Sequence, residues 1–229
     1  MKRIGLLGGM SWQSSALYYS LINELVGQRL GGLHSADCIL ASVDFAEIEL
    51  MQQTGDWAAA GERLAREAAA LELAGAELVV LCTNTMHKVA DAIEAAIDIP
   101  LLHLGDVTAL AVKSAGLTTV GLLGTRFTMA EPFYRERIES HGLTVLVPTA
   151  EQQAVVSRII YEELVVGVVL DASRAQYLEV IDSLAAGGAH GVILGCTEIE
   201  LLVGPGDTQI PLFPTTLIHA TAAVDAALA

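Results

Sequence analysis

An internal repeat constrains the fold of this chain more than any other feature. The segment GAELVVLCT at residues 75–83 resembles GAHGVILGC at residues 188–196. Two further pairs follow the same order at nearly the same spacing: IGLLG at 4–8 with VGLLG at 120–124, and IPL at 99–101 with IPL at 210–212. Three matches in one order indicate two structurally equivalent halves.

Short apolar runs alternate with helical patterns along the chain. Strands are predicted at 4–7, 38–43, 77–82, 100–103 and 119–123, and helices at 14–29 and 57–74. Strands separated by helices pair in parallel, which predicts an α/β fold. Ligands bind at the carboxyl edge of such sheets, and the repeat places Thr83 and Cys196 at equivalent positions there. Two similar halves, face to face, would present both residues to one cleft.

The charge balance excludes several classes of partner. The formal net charge is -15 at pH 7, and the lysines are limited to Lys2, Lys88 and Lys113. Such an acidic surface argues against binding to nucleic acid or to anionic membranes. It does not exclude an anionic small-molecule substrate, because the charge inside a pocket can differ from the average charge of the surface.

Cysteine and histidine usage indicates neither disulfides nor a metal site. Cys38, Cys82 and Cys196 lie far apart, without disulfide or zinc spacing. The histidines are scattered without ligand spacing. No signal peptide or membrane-spanning stretch is expected, so we predict a cytoplasmic protein with reduced thiols.

The sharpest chemical motif is LGCTE at residues 194–198. A cysteine at the N-terminus of a helix sits in a positive local potential, which predicts a stabilised Cys196 thiolate. A buried cysteine that closes a strand is the structural alternative.

Two other loops carry polar or glycine-rich segments. The polar segment TNTMH at residues 83–87 ends an apolar strand abruptly, which is typical of a ligand-binding or catalytic site. An ordinary helix cap at Thr83 or Asn84 would give the same pattern. His87 is interpreted as a residue that supports the site. The loop GLLGGMS at residues 5–11 lacks dinucleotide spacing, but its backbone N–H groups could bind a carboxylate.

Taken together, these segments resemble the aspartate/glutamate racemase family over essentially the whole chain. The resemblance implies two similar doubly wound α/β domains with parallel four-stranded sheets, a pseudo-twofold relation and an active site in the cleft between the domains. It places residues 1–103 and 214–229 in the first domain and residues 104–213 in the second. It also implies a homodimer and a small amino-acid substrate, with no pyridoxal phosphate, metal or other cofactor.

The resemblance further implies two residues that flank the substrate α-carbon and move its proton. The family's first signature usually reads C-N-T-x-H, whereas this chain has Thr83 in the place of the cysteine and Cys82 one residue earlier. Neighbouring strand residues point to opposite faces, so Thr83 is favoured over Cys82 as the cleft residue. A threonine hydroxyl cannot hold a negative charge near neutrality. The hypothesis is therefore that Cys196 is the base and Thr83 is the acid or relay.

The substrate-binding groups are less defined. Relatives carry an Arg and a Lys near the substrate carboxylates, and neither is found at the matching places here. The remaining polar candidates are Met10 and Ser11 through their backbone N–H groups, and Gln52, Asn84, Thr85, Thr125 and Thr197.

Two alternative functions remain open. A decarboxylase or isomerase of the same superfamily could work with Cys196 alone. An amino-acid-binding module without catalysis would also use two α/β lobes, although binding needs no thiolate.

Overall fold

The computed structural model describes all residues from Met1 to Ala229. The chain divides into two compact units, one formed by residues 1–104 and 219–229 and the other by residues 105–218. Residues 214–218, expected in the first domain, belong to the second unit. Thr215 Oγ1 donates to the Leu194 carbonyl at 2.8 Å, and Thr216 Oγ1 donates to Thr197 Oγ1 at 3.2 Å.

The first unit contains a four-stranded sheet in the order β2-β1-β3-β4. Its elements up to the last strand are β1 (Ile4–Gly8), α1 (Trp12–Leu30), β2 (Cys38–Ser42), α2 (Phe45–Thr54), α3 (Trp57–Leu73), β3 (Leu78–Leu81), a 3-10 helix (Thr85–Val89), α4 (Ala90–Glu94) and β4 (Leu101–Leu102). All pairings are parallel.

The second unit repeats this topology, with a parallel sheet in the order β6-β5-β7-β8. The elements that complete the chain are α5 (Leu104–Ser114), β5 (Thr119–Gly124), α6 (Arg126–Ala130), α7 (Pro132–Glu139), β6 (Thr144–Leu146), α8 (Ala150–Glu162), a 3-10 helix (Leu164–Val166), α9 (Asp171–Ala186), β7 (Val192–Gly195), a 3-10 helix (Thr197–Leu201), β8 (Leu212–Pro214) and α10 (Thr215–Leu228). No helix has the length and apolar character needed to cross a membrane.

The predicted fold class is confirmed. The two strand orders are equivalent, and the three sequence matches of the repeat fall on β1 and β5, on β3 and β7, and on β4 and β8. The repeat was detectable because buried central strands keep the same apolar pattern in both halves.

Alternation along the central strands gives the first unit a core on each face of its sheet. Leu78, Val80 and Cys82 pack with residues of α1 and α10. Val79 and Leu81 pack on the other face with residues of α3 and α4. Covering both faces of a parallel sheet with helices is what defines a doubly wound unit.

Polar caps fix where several helices begin. Asp44 and Asp56 each accept a backbone N–H at the start of α2 and α3, and Thr149 forms a capping box with Gln152 at the start of α8. Such caps satisfy N–H groups that have no partner inside the helix.

Gly9 is the glycine whose replacement we expect to be most costly in the first loop. Its φ is +98°, and a Cβ there would lie 2.2 Å from the Val43 carbonyl oxygen. We predict that Gly9→Ala lowers the free energy of unfolding by about 3 kcal/mol, because strain and a backbone clash add. Urea denaturation followed by circular dichroism measures this.

Gly55→Ala is the matched control. Gly55 also has a positive φ, +73°, but an added Cβ would meet nothing within 4 Å. Gly55→Ala should lower the free energy of unfolding by about 1 kcal/mol, because only the unfavourable backbone conformation contributes. Equal losses in the two variants would contradict the clash at Gly9.

Candidate active site

Each unit brings two strand ends together at the carboxyl edge of its sheet. In the first unit Leu7 pairs with Leu81, so the loops that follow β1 and β3 leave the sheet side by side. In the second unit Gly124 pairs with Gly195. Met10 and Thr83 each lie two residues beyond the strand end in the first unit, whereas Thr125 and Cys196 follow their strands directly in the second.

Paired glycines allow the ends of β5 and β7 to approach closely. A Cβ at Gly124 would lie 2.9 Å from the Gly195 carbonyl oxygen, and a Cβ at Gly195 would lie 2.8 Å from the Leu123 carbonyl oxygen. Side chains at these positions would push the strands apart. The pair therefore fixes where Cys196 and Thr125 leave the sheet.

Cys82 belongs to the core and not to the surface of the site. Its side chain is fully buried with residues of α1 and α10, and burial raises the pKa of its thiol. Thr83, the next residue, is partly exposed. This arrangement favours Thr83 over Cys82 as the residue available to a ligand.

His87 holds the backbone of Thr83 in place. Its Nε2 accepts the Leu104 N–H at 3.1 Å, so Nδ1 carries the proton and donates to the Thr83 carbonyl at 2.7 Å. Burial, together with His103 and His219, keeps the pKa of His87 well below its usual value. The imidazole is therefore neutral, with one tautomer fixed by its two partners.

A buried histidine cluster extends behind His87. Its ring lies 4.7 Å from that of His103 and 5.9 Å from that of His219, measured between centroids. His219 on α10 bonds the Leu102 carbonyl at 2.8 Å and the Tyr18 hydroxyl at 2.9 Å. His103 and His219 were not identified from the sequence, because a lone histidine in an apolar segment carries no pattern.

The glycine-rich loop after β1 leads into α1 through Ser11. The Ser11 hydroxyl caps the helix by accepting the Ser14 N–H at 3.3 Å. The Gly9 N–H donates to Ser15 Oγ at 2.8 Å, and Met10 is buried. The Ser11 hydroxyl thus has a structural role, which leaves its backbone as the expected ligand group.

The other predicted polar residues of the first unit are buried. The Gln52 side-chain amide donates to Met86 Sδ at 3.0 Å, and a thioether is a weak acceptor. Asn84 and Thr85 are less than one-tenth exposed and lie where the 3-10 helix after β3 begins.

Cys196 lies directly after β7, in extended conformation, and precedes the five-residue 3-10 helix. It is buried, and its Sγ donates to Glu198 Oε2 at 3.0 Å. Burial, followed by the charge of Glu198, raises the pKa of the thiol well above its ordinary value. Burial and the nearby carboxylates thus oppose the thiolate that the sequence led us to expect at this helix N-terminus.

Glu200 was also missed by the sequence interpretation. Burial raises its pKa to about 7, whereas hydrogen bonds from Thr216 oppose that shift. The sequence feature that could have identified it is the proximity of Glu198 and Glu200, two acidic residues just after Cys196.

Thr125 and Thr197 both take part in local hydrogen bonds. Thr125 caps α6 by accepting the Thr128 N–H at 3.3 Å, and Thr197 Oγ1 accepts from Thr216 at 3.2 Å. No group of three or more His, Cys, Asp or Glu side chains in the chain is placed to hold a metal ion.

The fold matches solved structures that are described as racemases or racemase homologues. A Yersinia pestis protein, described provisionally as an Asp/Glu racemase, is 53% identical, with a TM-score of 0.96 and full coverage of both chains. An aspartate racemase homologue from Pyrococcus horikoshii is 33% identical, with a TM-score of 0.90 and full coverage of both chains.

A family model described as Asp/Glu/Hydantoin racemase matches residues 7–223. The chain therefore belongs to this family. Among characterised relatives, the broad specificity amino-acid racemase RacX of Bacillus subtilis is 23% identical over 163 residues, which is 69% of this chain and 68% of the relative.

The neutral histidines predict loss of stability in acid. The pKa of His219 is lowered to about 4 by burial, so below its unfolded value of 6.5 the unfolded chain binds a proton that the folded chain does not. His219 alone should therefore lower stability by about 2 kcal/mol by pH 5. Glu200, whose pKa is raised to about 7, acts in the opposite direction, because the folded chain binds this proton before the unfolded chain does. Urea midpoints at pH 7 and pH 5, compared between the wild type and a variant without the His219 imidazole, isolate the histidine contribution.

His219→Gln tests the assignment to this side chain. A glutamine amide can still donate to the Leu102 carbonyl but does not titrate. The variant should lose less stability between pH 7 and pH 5 than the wild type does. An unchanged difference between the two pH values would show that His219 is not responsible.

Proposed function

We propose that this protein is a cofactor-independent amino-acid racemase that acts on aspartate, glutamate or a broader set of amino acids, as a homodimer. Cys196 is the base, and Thr83 is the acid or a proton relay. Besides family membership, one structural observation supports this assignment of roles. Thr83 and Cys196 occupy equivalent positions, each just beyond the second central strand of two topologically identical sheets.

Racemisation needs a proton removed from one face of the α-carbon and another delivered to the opposite face. A thiol can be converted into a base near neutrality, whereas a threonine hydroxyl at that pH can only donate or relay. Cys196 therefore removes the α-proton of the L-enantiomer, and Thr83 supplies the proton that forms the D-enantiomer. A water molecule gives a proton to Thr83 in the same step, so no alkoxide forms, and the hydroxide that remains is neutralised by the proton released on the Cys196 side.

The substrate carboxylate and amino groups are held by polar groups that follow the strand ends. Backbone N–H groups at Met10 and Ser11, with Asn84 and Thr85, serve this purpose in the first unit, and Thr125 and Thr197 serve it in the second. Gln52 is the side chain most easily recruited, because its amide bonds only a weak thioether acceptor in the free protein.

Exchange of the α-hydrogen tests the reaction directly. The protein is incubated with L-glutamate and with L-aspartate in deuterated water, and the α-hydrogen is followed by NMR. We expect loss of the α-hydrogen signal with formation of the D-enantiomer, and neither in Cys196→Ala, because the base is absent.

The other outcomes separate the alternative functions. Loss of carbon dioxide from a malonate-type substrate, without exchange on any amino acid, would indicate the decarboxylase. Binding of amino acids without α-hydrogen exchange, across a wide panel, would indicate a binding module. Full activity in Cys196→Ala would overturn the assigned base.

Thr83→Ala distinguishes the two roles. Without the acid, Cys196 can still remove and return a proton on one face, so L-glutamate should take up deuterium while D-glutamate forms at least about 100-fold more slowly. Because the equilibrium constant of racemisation is one, kcat/KM must fall equally in both directions. Chiral chromatography and NMR of the same sample measure both quantities.

Thr83→Ser is the matched control, since it keeps the hydroxyl and should retain most of the activity. If Thr83→Ala formed the D-enantiomer at the wild-type rate, the hydroxyl would have no role and another group would be the acid.

A further inference from the structure

Cys196 and Glu198 form one hydrogen-bonded pair inside the second unit. The Sγ to Oε2 distance is 3.0 Å, and the thiol is the donor. Only Thr197 separates the two residues, where the extended Cys196 leads into a 3-10 helix, so backbone geometry brings their side chains to the same place.

The charged groups that act on Sγ are both negative. Glu198 contacts it and Glu200 lies in the same short helix, while Tyr177 on α9 is the titratable group that faces it from the core. A thiolate formed by release of a proton to water would place a second negative charge, on a buried sulfur, beside the partly buried carboxylate of Glu198. Such an arrangement is strongly disfavoured.

Transfer of the proton within the pair avoids that cost. The pair carries a charge of minus one whether the proton sits on sulfur or on oxygen, so no second buried charge appears. Strongly interacting groups of this kind share their protons as a unit.

We propose that Glu198 is the group that takes the proton from Cys196 and thereby creates the base for catalysis. This inference rests on the proposed racemase function. In the step, the S–H bond breaks and an O–H bond forms on Glu198. The thiolate then takes the substrate α-proton and becomes a thiol again, and the carboxylic acid returns its proton to solvent after the product leaves.

The pH dependence of Glu198→Gln tests the proposal. In the wild type the proton stays within the pair, so kcat/KM should change little between about pH 6.5 and 8.5. In the variant the thiol must lose its proton to water. We expect kcat/KM to fall at least about 100-fold at pH 7 and to recover about tenfold per pH unit.

Reactivity of the thiol gives a second readout that does not depend on the substrate. Alkylation also needs the thiolate, so loss of the proton acceptor in Glu198→Gln should slow alkylation of Cys196 by iodoacetamide at pH 7 about tenfold and make it rise with pH. Peptide mapping by mass spectrometry separates Cys196 from Cys38. A thiol that is less reactive, in an enzyme that is slower and more dependent on pH, is the result expected when a proton acceptor is lost.

Two variants control for simple structural effects. Glu198→Asp keeps the carboxylate and should restore part of the activity with the flat pH profile. Glu200→Gln removes the other carboxylate of the same turn, which does not bond Sγ, and should keep the flat profile as well. A steep profile in Glu200→Gln would instead assign the role to Glu200.

The outcomes distinguish this inference from the proposed function. If the wild type is active and Glu198→Gln has the same kcat/KM with the same flat pH profile, Glu198 has no role in the reaction, whereas the proposed racemase function is unaffected. A wild type without α-hydrogen exchange would overturn the racemase, whereas the alkylation rates would still show whether Glu198 controls the Cys196 proton. An equal rate of Cys196 alkylation in the wild type and in Glu198→Gln would show that Glu198 does not control the thiol proton.

Discussion

The parallel, in-register pairing of the two central strands in each sheet is the constraint on which the site depends. Leu7 beside Leu81, and Gly124 beside Gly195, bring neighbouring loops out at the same level of the sheet. The glycine pair makes the second junction especially tight, because neither position has room for a side chain. Helices on both faces bury these strands, so the loops alone remain to carry chemistry.

Equivalent strand ends are embedded in opposite electrostatic surroundings. Behind Thr83 lie histidines kept neutral by burial, and they fix the backbone through hydrogen bonds to carbonyl groups. Around Cys196 lie carboxylates that discourage a second negative charge. The strand end at Thr83 is thus surrounded by neutral groups, and the strand end at Cys196 by carboxylates.

Much of the fold could be predicted from the sequence because it follows from periodicity. The repeat identified two equivalent halves, and alternation favoured Thr83 over the buried Cys82. The electrostatics of Cys196 could not be predicted, since the dipole argument considers backbone alone, whereas the 3.0 Å contact with Glu198 depends on side-chain placement. Histidines brought together from β4 and α10 are likewise invisible to local patterns, because their sequence separation is large.

The shared register of the two sheets also has an evolutionary consequence. A gene duplication that copies such a unit copies its strand ends, and each copy can then change the residue there without disturbing its core. Thr83 and Cys196 stand at equivalent positions of the two sheets and differ in side-chain acidity, although the strand order around them is the same. A fold with two equivalent halves can therefore change one such position while the other stays as it was.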